Sequence, residues 1–180
     1  KYINQWQKTI TFKHIEILSV SDQNYQINSI GDSIRWIYSL SSVVLNFKNC
    51  IIVPGDVVIN APLNKILKMH ETRMKNTKKG KGTPILTTIF TQTKTNGYSV
   101  LLDKDGSILQ IDIPPEINFD DKNHQLPFTK TKSTLIKTGL KDTQIYICSP
   151  ELMGIFASDD NFDWDSIMND CVPSIIDCEF

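Results

Sequence analysis

Cys50-Ile51-Ile52-Val53-Pro54-Gly55-Asp56 is the stretch on which the fold reading turns. Four apolar residues run without interruption into a Pro-Gly-Asp turn. A continuous apolar run of this length reads as a strand buried on both faces. Strands of that kind belong to parallel sheets flanked by helices, so the stretch predicts an α/β domain with a mostly parallel sheet. Ligands of such sheets bind in the crevice beyond the carboxyl ends of the strands. Gly55 and Asp56 fall at that position, where a nucleotide-binding domain keeps a metal-holding carboxylate.

Working outward, Asn60 offers a cap and Pro62 a first-turn residue for a following helix. Leu63, Ile66, Leu67, His70 and Met74 then recur on one helical stripe. On that stripe His70 reads as a semi-buried histidine rather than a general base. Upstream, Ile30, Ile34 and Ile37 predict a helix from Gly31 to about Ser39, and alternation predicts a strand over His14 to Val20. Downstream, Pro84 to Thr91 reads as a strand. Tyr98 to Leu102 and Ile108 to Ile111 flank Asp103-Lys104-Asp105-Gly106, a hairpin signal. Pro114 to Ser133 is polar and irregular, long for a loop inside a domain. Gln144 to Cys148 is a further strand, Ser149-Pro150-Glu151 opens a helix, and a short helix starts after Asp163 or Asp165.

The chain has 180 residues, 40% hydrophobic and 22% charged, the size and composition of one globular domain. Its net charge of -1 gives no general pull toward nucleic acid or membrane. Charge is segregated, however. Seven basic residues and one acid lie between Leu63 and Lys81, whereas eight acids and no Lys or Arg lie between Glu151 and Phe180. Such runs are solvated faces or faces that meet charged partners. The four cysteines, Cys50, Cys148, Cys171 and Cys178, form no CxxC pair, and His14, His70 and His124 match no zinc spacing. A reduced, cytosolic compartment fits this usage.

With these elements placed, the order of motifs resembles the epsilon-subunit family of translation initiation factor 2B, whose members carry a nucleotidyltransferase-like domain. The matching segments are Ser29-Ile30-Gly31-Asp32-Ser33, Val53-Pro54-Gly55-Asp56, His70 to Lys75, and Thr87-Thr88-Ile89-Phe90. The most specific are Tyr146-Ile147-Cys148-Ser149-Pro150-Glu151 and Asp160-Asn161-Phe162-Asp163-Trp164. The resemblance implies part of a subunit that serves in assembly and in docking the substrate factor during guanine nucleotide exchange. It implies as partners the other subunits of the factor, gamma first among them, and initiation factor 2. Residues 1–180 would be one incomplete domain. The Gly-rich βα unit before it, and a β-helix and a helical-repeat domain after it, would lie elsewhere.

In the resemblance Asn161 and Phe162 are partner-binding residues. Gly31, Asp32, Gly55 and Asp56 hold the vestigial nucleotide and metal position, and no residue is catalytic. No cofactor is expected under this reading. Under the alternative, a fragment of a sugar-phosphate nucleotidyltransferase, Asp56 would help hold magnesium. The one Gly-x-Gly, Gly80-Lys81-Gly82, follows a helix and precedes a strand, the wrong order for a phosphate loop.

Overall fold

Ile145, Tyr146, Ile147 and Cys148 are each at most 3% exposed, and they form the spine of the domain. The computed structural model describes residues 26–40, 47–76, 82–94, 97–112 and 133–177. The strand expected over His14 to Val20, and all but Ser133 of the 114–133 excursion, lie outside them. The elements in order are helix α1 (Ile30–Ser39), strand β1 (Cys50–Ile52), helix α2 (Leu63–Lys75), strands β2 (Leu86–Gln92), β3 (Tyr98–Asp103), β4 (Ile108–Asp112) and β5 (Thr134–Cys148), and helix α3 (Pro150–Phe156). A 3-10 turn (Asp159–Asn161), a π-helical turn (Ile167–Cys171) and helix α4 (Val172–Asp177) complete them.

The sheet is not mostly parallel. Every strand pairing in it is antiparallel, and the long strand β5 makes three of them, with β1, β2 and β3. The fourth pairing is the β3–β4 hairpin. Cys148, Ile147 and Tyr146 face Cys50, Ile51 and Ile52 of β1 and also Leu86, Thr87 and Thr88 of β2. β1 and β2 therefore flank β5 on its two edges. They run in the same direction, but β5 runs oppositely between them, so no parallel ladder forms. The strand buried on both faces is accordingly the end of β5. The β1 residues are only half-buried, and Val53 beyond them is 43% exposed. An apolar run reports burial but carries no information on the direction of the neighbouring strand.

β5 is also longer than the expected Gln144–Cys148. Its first half is mostly exposed, Leu135 at 52% and Ile136 at 60%, with Leu140 the buried exception. Pairing with β3, and with β2 from Leu140 onward, holds that half. Between the two halves the register slips: Thr88 faces Tyr146, yet Phe90 faces Asp142. The extra residues form a bulge. At its apex Gln144 has φ 59°, a left-handed conformation uncommon for a residue with a side chain. Local bonds brace it: the Asp142 carboxylate accepts the Gln144 N–H at 2.9 Å, Thr143 donates to the Ile89 carbonyl at 2.7 Å, and Tyr146 O–H donates to Asp142.

The hairpin forms where its turn residues lie. Asp103 Oδ1 accepts the N–H groups of Asp105 at 2.9 Å and Ser107 at 2.8 Å. Gly106 takes φ 79° there, which glycine adopts without steric cost. α3 starts at Pro150 after Ser149, and buries Leu152, Met153 and Phe156. These pack with Ile34 of α1, Tyr146 and Cys148 of β5, and Ile167, Met168, Cys171 and Val172 into one core.

α2 begins two residues later than the Asn60 cap implies. Pro62 occupies the boundary, and no side chain caps it. His70 is the buried residue of this helix, and its Nδ1 shares a 2.8 Å hydrogen bond with Thr87 Oγ1 of β2. Its Nε2 is buried without a partner among the described residues. Burial pushes the imidazole pKa below its ordinary value, because a protonated ring would leave a charged N–H unsolvated. In the pH range below about 6.5 the unfolded chain then binds the proton that the folded chain refuses. Stability should therefore be full above that range and fall as pH drops toward the lower folded value. Urea unfolding between pH 7.5 and 5.5 (chosen to bracket the ordinary imidazole value of about 6.5) checks this, with His70→Gln expected to flatten the slope.

Candidate functional site

Ser29 starts the site. Its Oγ accepts the Asp32 N–H at 3.0 Å and caps α1, placing Asp32 in the first turn where negative charge suits the helix terminus. One residue into that turn, the N–H of Gly31 donates to the Asp165 carbonyl at 3.1 Å. The two segments meet so closely that a Cβ on Gly31 would lie 1.9 Å from the Trp164 carbonyl oxygen. Only glycine permits this approach.

Arg35, one turn further along α1, fastens the same junction. Its guanidinium donates to the Trp164 carbonyl at 3.0 Å, to the Asn161 carbonyl at 3.4 Å and to the Asp32 carboxylate at 2.9 Å. The Arg35 hydrogen bond is the main reason that the Asp32 carboxyl is held below its ordinary pKa; the Asn28 N–H adds to it at 3.0 Å. On the other side, the Asn161 amide donates to the Ile155 carbonyl at 2.9 Å, and Trp164 packs edge-on against Phe156 with centroids 5.6 Å apart. The 159–165 turn is thus tied to α1 by Arg35 and Gly31, and to α3 by Asn161 and Trp164.

What this bracing presents to solvent is Phe162, 72% exposed. Asp159, Asp160, Asp163 and Asp165 around it are all exposed. A large aromatic ring held out among carboxylates on a fastened turn has the anatomy of a protein contact: an apolar anchor within a charged rim.

The structure brings four of the residues singled out from sequence to this corner: Gly31, Asp32, Asn161 and Phe162. Gly55 and Asp56 stand apart from that bonded network. They are exposed in a turn closed by the Val57 N–H to the Pro54 carbonyl at 3.3 Å, and a Cβ on Gly55 would meet nothing within 4 Å. Among the described residues, no group of three or more His, Cys, Asp or Glu is arranged to hold a metal ion. No helix among them is long and apolar enough to cross a membrane. Arg35 is the site residue that sequence reasoning missed. Its only local signal is the i, i+3 spacing from Asp32, since its other partners lie 126 and 129 residues away.

Fold and site together define an α+β domain, built on an antiparallel sheet, that presents a braced aromatic turn. No family model matches the chain. It is similar to the translation initiation factor eIF2B subunit epsilon of Schizosaccharomyces pombe, 28% identical over 163 residues that make up 82% of this chain and 22% of that protein. The subunit of the same name from Dictyostelium discoideum is 27% identical over 171 residues, 90% of this chain and 22% of that protein. The chain thus spans about a fifth of the length of these curated relatives.

Proposed function

We propose that this chain is part of an epsilon-type subunit of the guanine nucleotide exchange factor that serves initiation factor 2, and that its task is docking. The 72% exposure of Phe162 on a turn fixed from two sides carries this reading. The partner surface would offer an apolar pocket ringed by Lys or Arg, complementary to Asp159, Asp160, Asp163 and Asp165. Initiation factor 2 and the sister subunits of the exchange factor, gamma included, are the partners that the similarity suggests.

The test is Phe162→Ala in the full-length protein within its assembled complex. The exchange rate, or the affinity for initiation factor 2, should drop on the order of tenfold or more, as expected for an anchor residue. Thermal stability should stay within experimental error, because the ring packs on little of its own chain. Raising the salt concentration should slow association further, since the rim acts through screened charge. Unchanged exchange and unchanged affinity would remove this turn from the contact. Asp56→Asn should leave exchange within about twofold of wild type, as surface substitutions away from a contact generally do.

A further inference from the structure

Cys50 of β1 and Cys148 of β5 are direct cross-strand partners, and their sulfurs lie 3.1 Å apart with no bond between them. Directly opposed residues of antiparallel strands have Cα atoms about 4.5–5.5 Å apart. That falls within the span of roughly 4.4–6.8 Å that a disulfide bridges. The two positions are 98 residues apart in the chain, so only the folded sheet brings them together.

We propose that Cys50 and Cys148 form a reversible oxidation site, closed to a disulfide by a peroxide. The two thiols differ in the way such chemistry requires. Cys50 is half-buried on the flanking strand, whereas Cys148 is fully buried within the core. The hydrogen bond from the Cys148 thiol holds Cys50 below its ordinary pKa and pushes Cys148 itself up. Cys50 is thus the thiolate former, on the less buried of the two residues.

In the first step the Cys50 thiolate attacks one peroxide oxygen, breaking the O–O bond. Cys50 becomes a sulfenic acid, and the released hydroxide takes a proton to leave as water. In the second step the Cys148 sulfur displaces the sulfenic oxygen. The S–S bond forms, and the oxygen leaves as a second water with the Cys148 proton. Overall two thiols and one hydrogen peroxide give one disulfide and two waters. The product joins a flanking strand covalently to the central one, just before the Val53–Asp56 turn on one side and α3 on the other. A thiol reductant reverses it.

The whole chain is exposed to hydrogen peroxide, then denatured and titrated with a maleimide. The chain has four cysteines, and two thiols should be lost on oxidation. The intact mass should fall by two hydrogens, peptide mapping should join the segments that contain Cys50 and Cys148, and dithiothreitol should restore all four thiols. Cys50→Ser should abolish the loss while leaving the domain folded. Should Cys50→Ser disturb folding, the same titration of the native sequence in urea serves instead, and there the specific linkage should disappear. Retention of four thiols, a bridge that maps to Cys171 or Cys178, or oxidation that dithiothreitol cannot reverse would each overturn the proposal.

Discussion

Gly31→Ala should destabilise the domain by about 3 kcal/mol, the upper end of what overpacking produces. The methyl carbon would sit 1.9 Å from the Trp164 carbonyl oxygen, 3.0 Å from its carbonyl carbon and 3.2 Å from the Asp165 Cα. All three are backbone atoms, so no side-chain rotation relieves the clash, and the 159–165 turn must retreat. Its retreat would break the Gly31–Asp165 hydrogen bond and pull the Trp164 and Asn161 carbonyls away from Arg35. Urea unfolding measures the loss. Gly55→Ala is the matched control: its Cβ would meet nothing within 4 Å, and stability should change by less than about 0.5 kcal/mol. A Gly31→Ala protein as stable as wild type would mean that α1 does not close on Trp164.

Phe156→Ala should cost about 3–5 kcal/mol, the range for deleting a buried aromatic ring. Phe156 is fully buried in α3, and its ring meets Trp164 at 82° in an edge-to-face contact. For a domain of this size each kcal/mol lowers Tm by roughly 2–4 °C, so a fall of about 6–20 °C is expected in calorimetry. Phe156→Leu, which keeps most of the volume, should lose far less. Both Gly31 and Phe156 act on Trp164, so the double variant should depart from additivity. Additive losses would show that the turn is held by two independent contacts. Loosening by Phe156→Ala should also weaken the partner contact proposed for Phe162 without touching that ring.

Local chemistry was legible from sequence, and long-range direction was not. The hairpin around Asp103–Gly106 and the start of α3 at Ser149-Pro150 are set by neighbours within a few residues, and both form where the residues predict. The α1 stripe of Ile30, Ile34 and Ile37 likewise gives a helix over Ile30–Ser39. The parallel sheet failed for a different reason. The residues that decide how β1 is paired are Tyr146, Ile147 and Cys148, about a hundred positions downstream, and nothing in Cys50-Ile51-Ile52-Val53 encodes which way they run. The first half of β5 escaped notice because Lys137, Thr138, Gly139 and Lys141 carry no apolar alternation. At the site, an acidic stretch that contains Phe162 is compatible with a ring turned inward or outward. Arg35 helps to fix the turn, through partners that no local pattern shows.

The placement of β5 bears on how the chain can be made. Synthesis proceeds from the N-terminus, and β1, β2 and β3 emerge long before the strand that all three need. Until Thr134 and the residues after it have left the ribosome the nascent polypeptide holds only the β3–β4 hairpin as paired sheet among the described strands. Non-local pairing of this kind slows folding and leaves strand edges open meanwhile. Translation that stalls before this point should release an aggregation-prone product, whereas a few dozen more codons complete sheet, core and turn together.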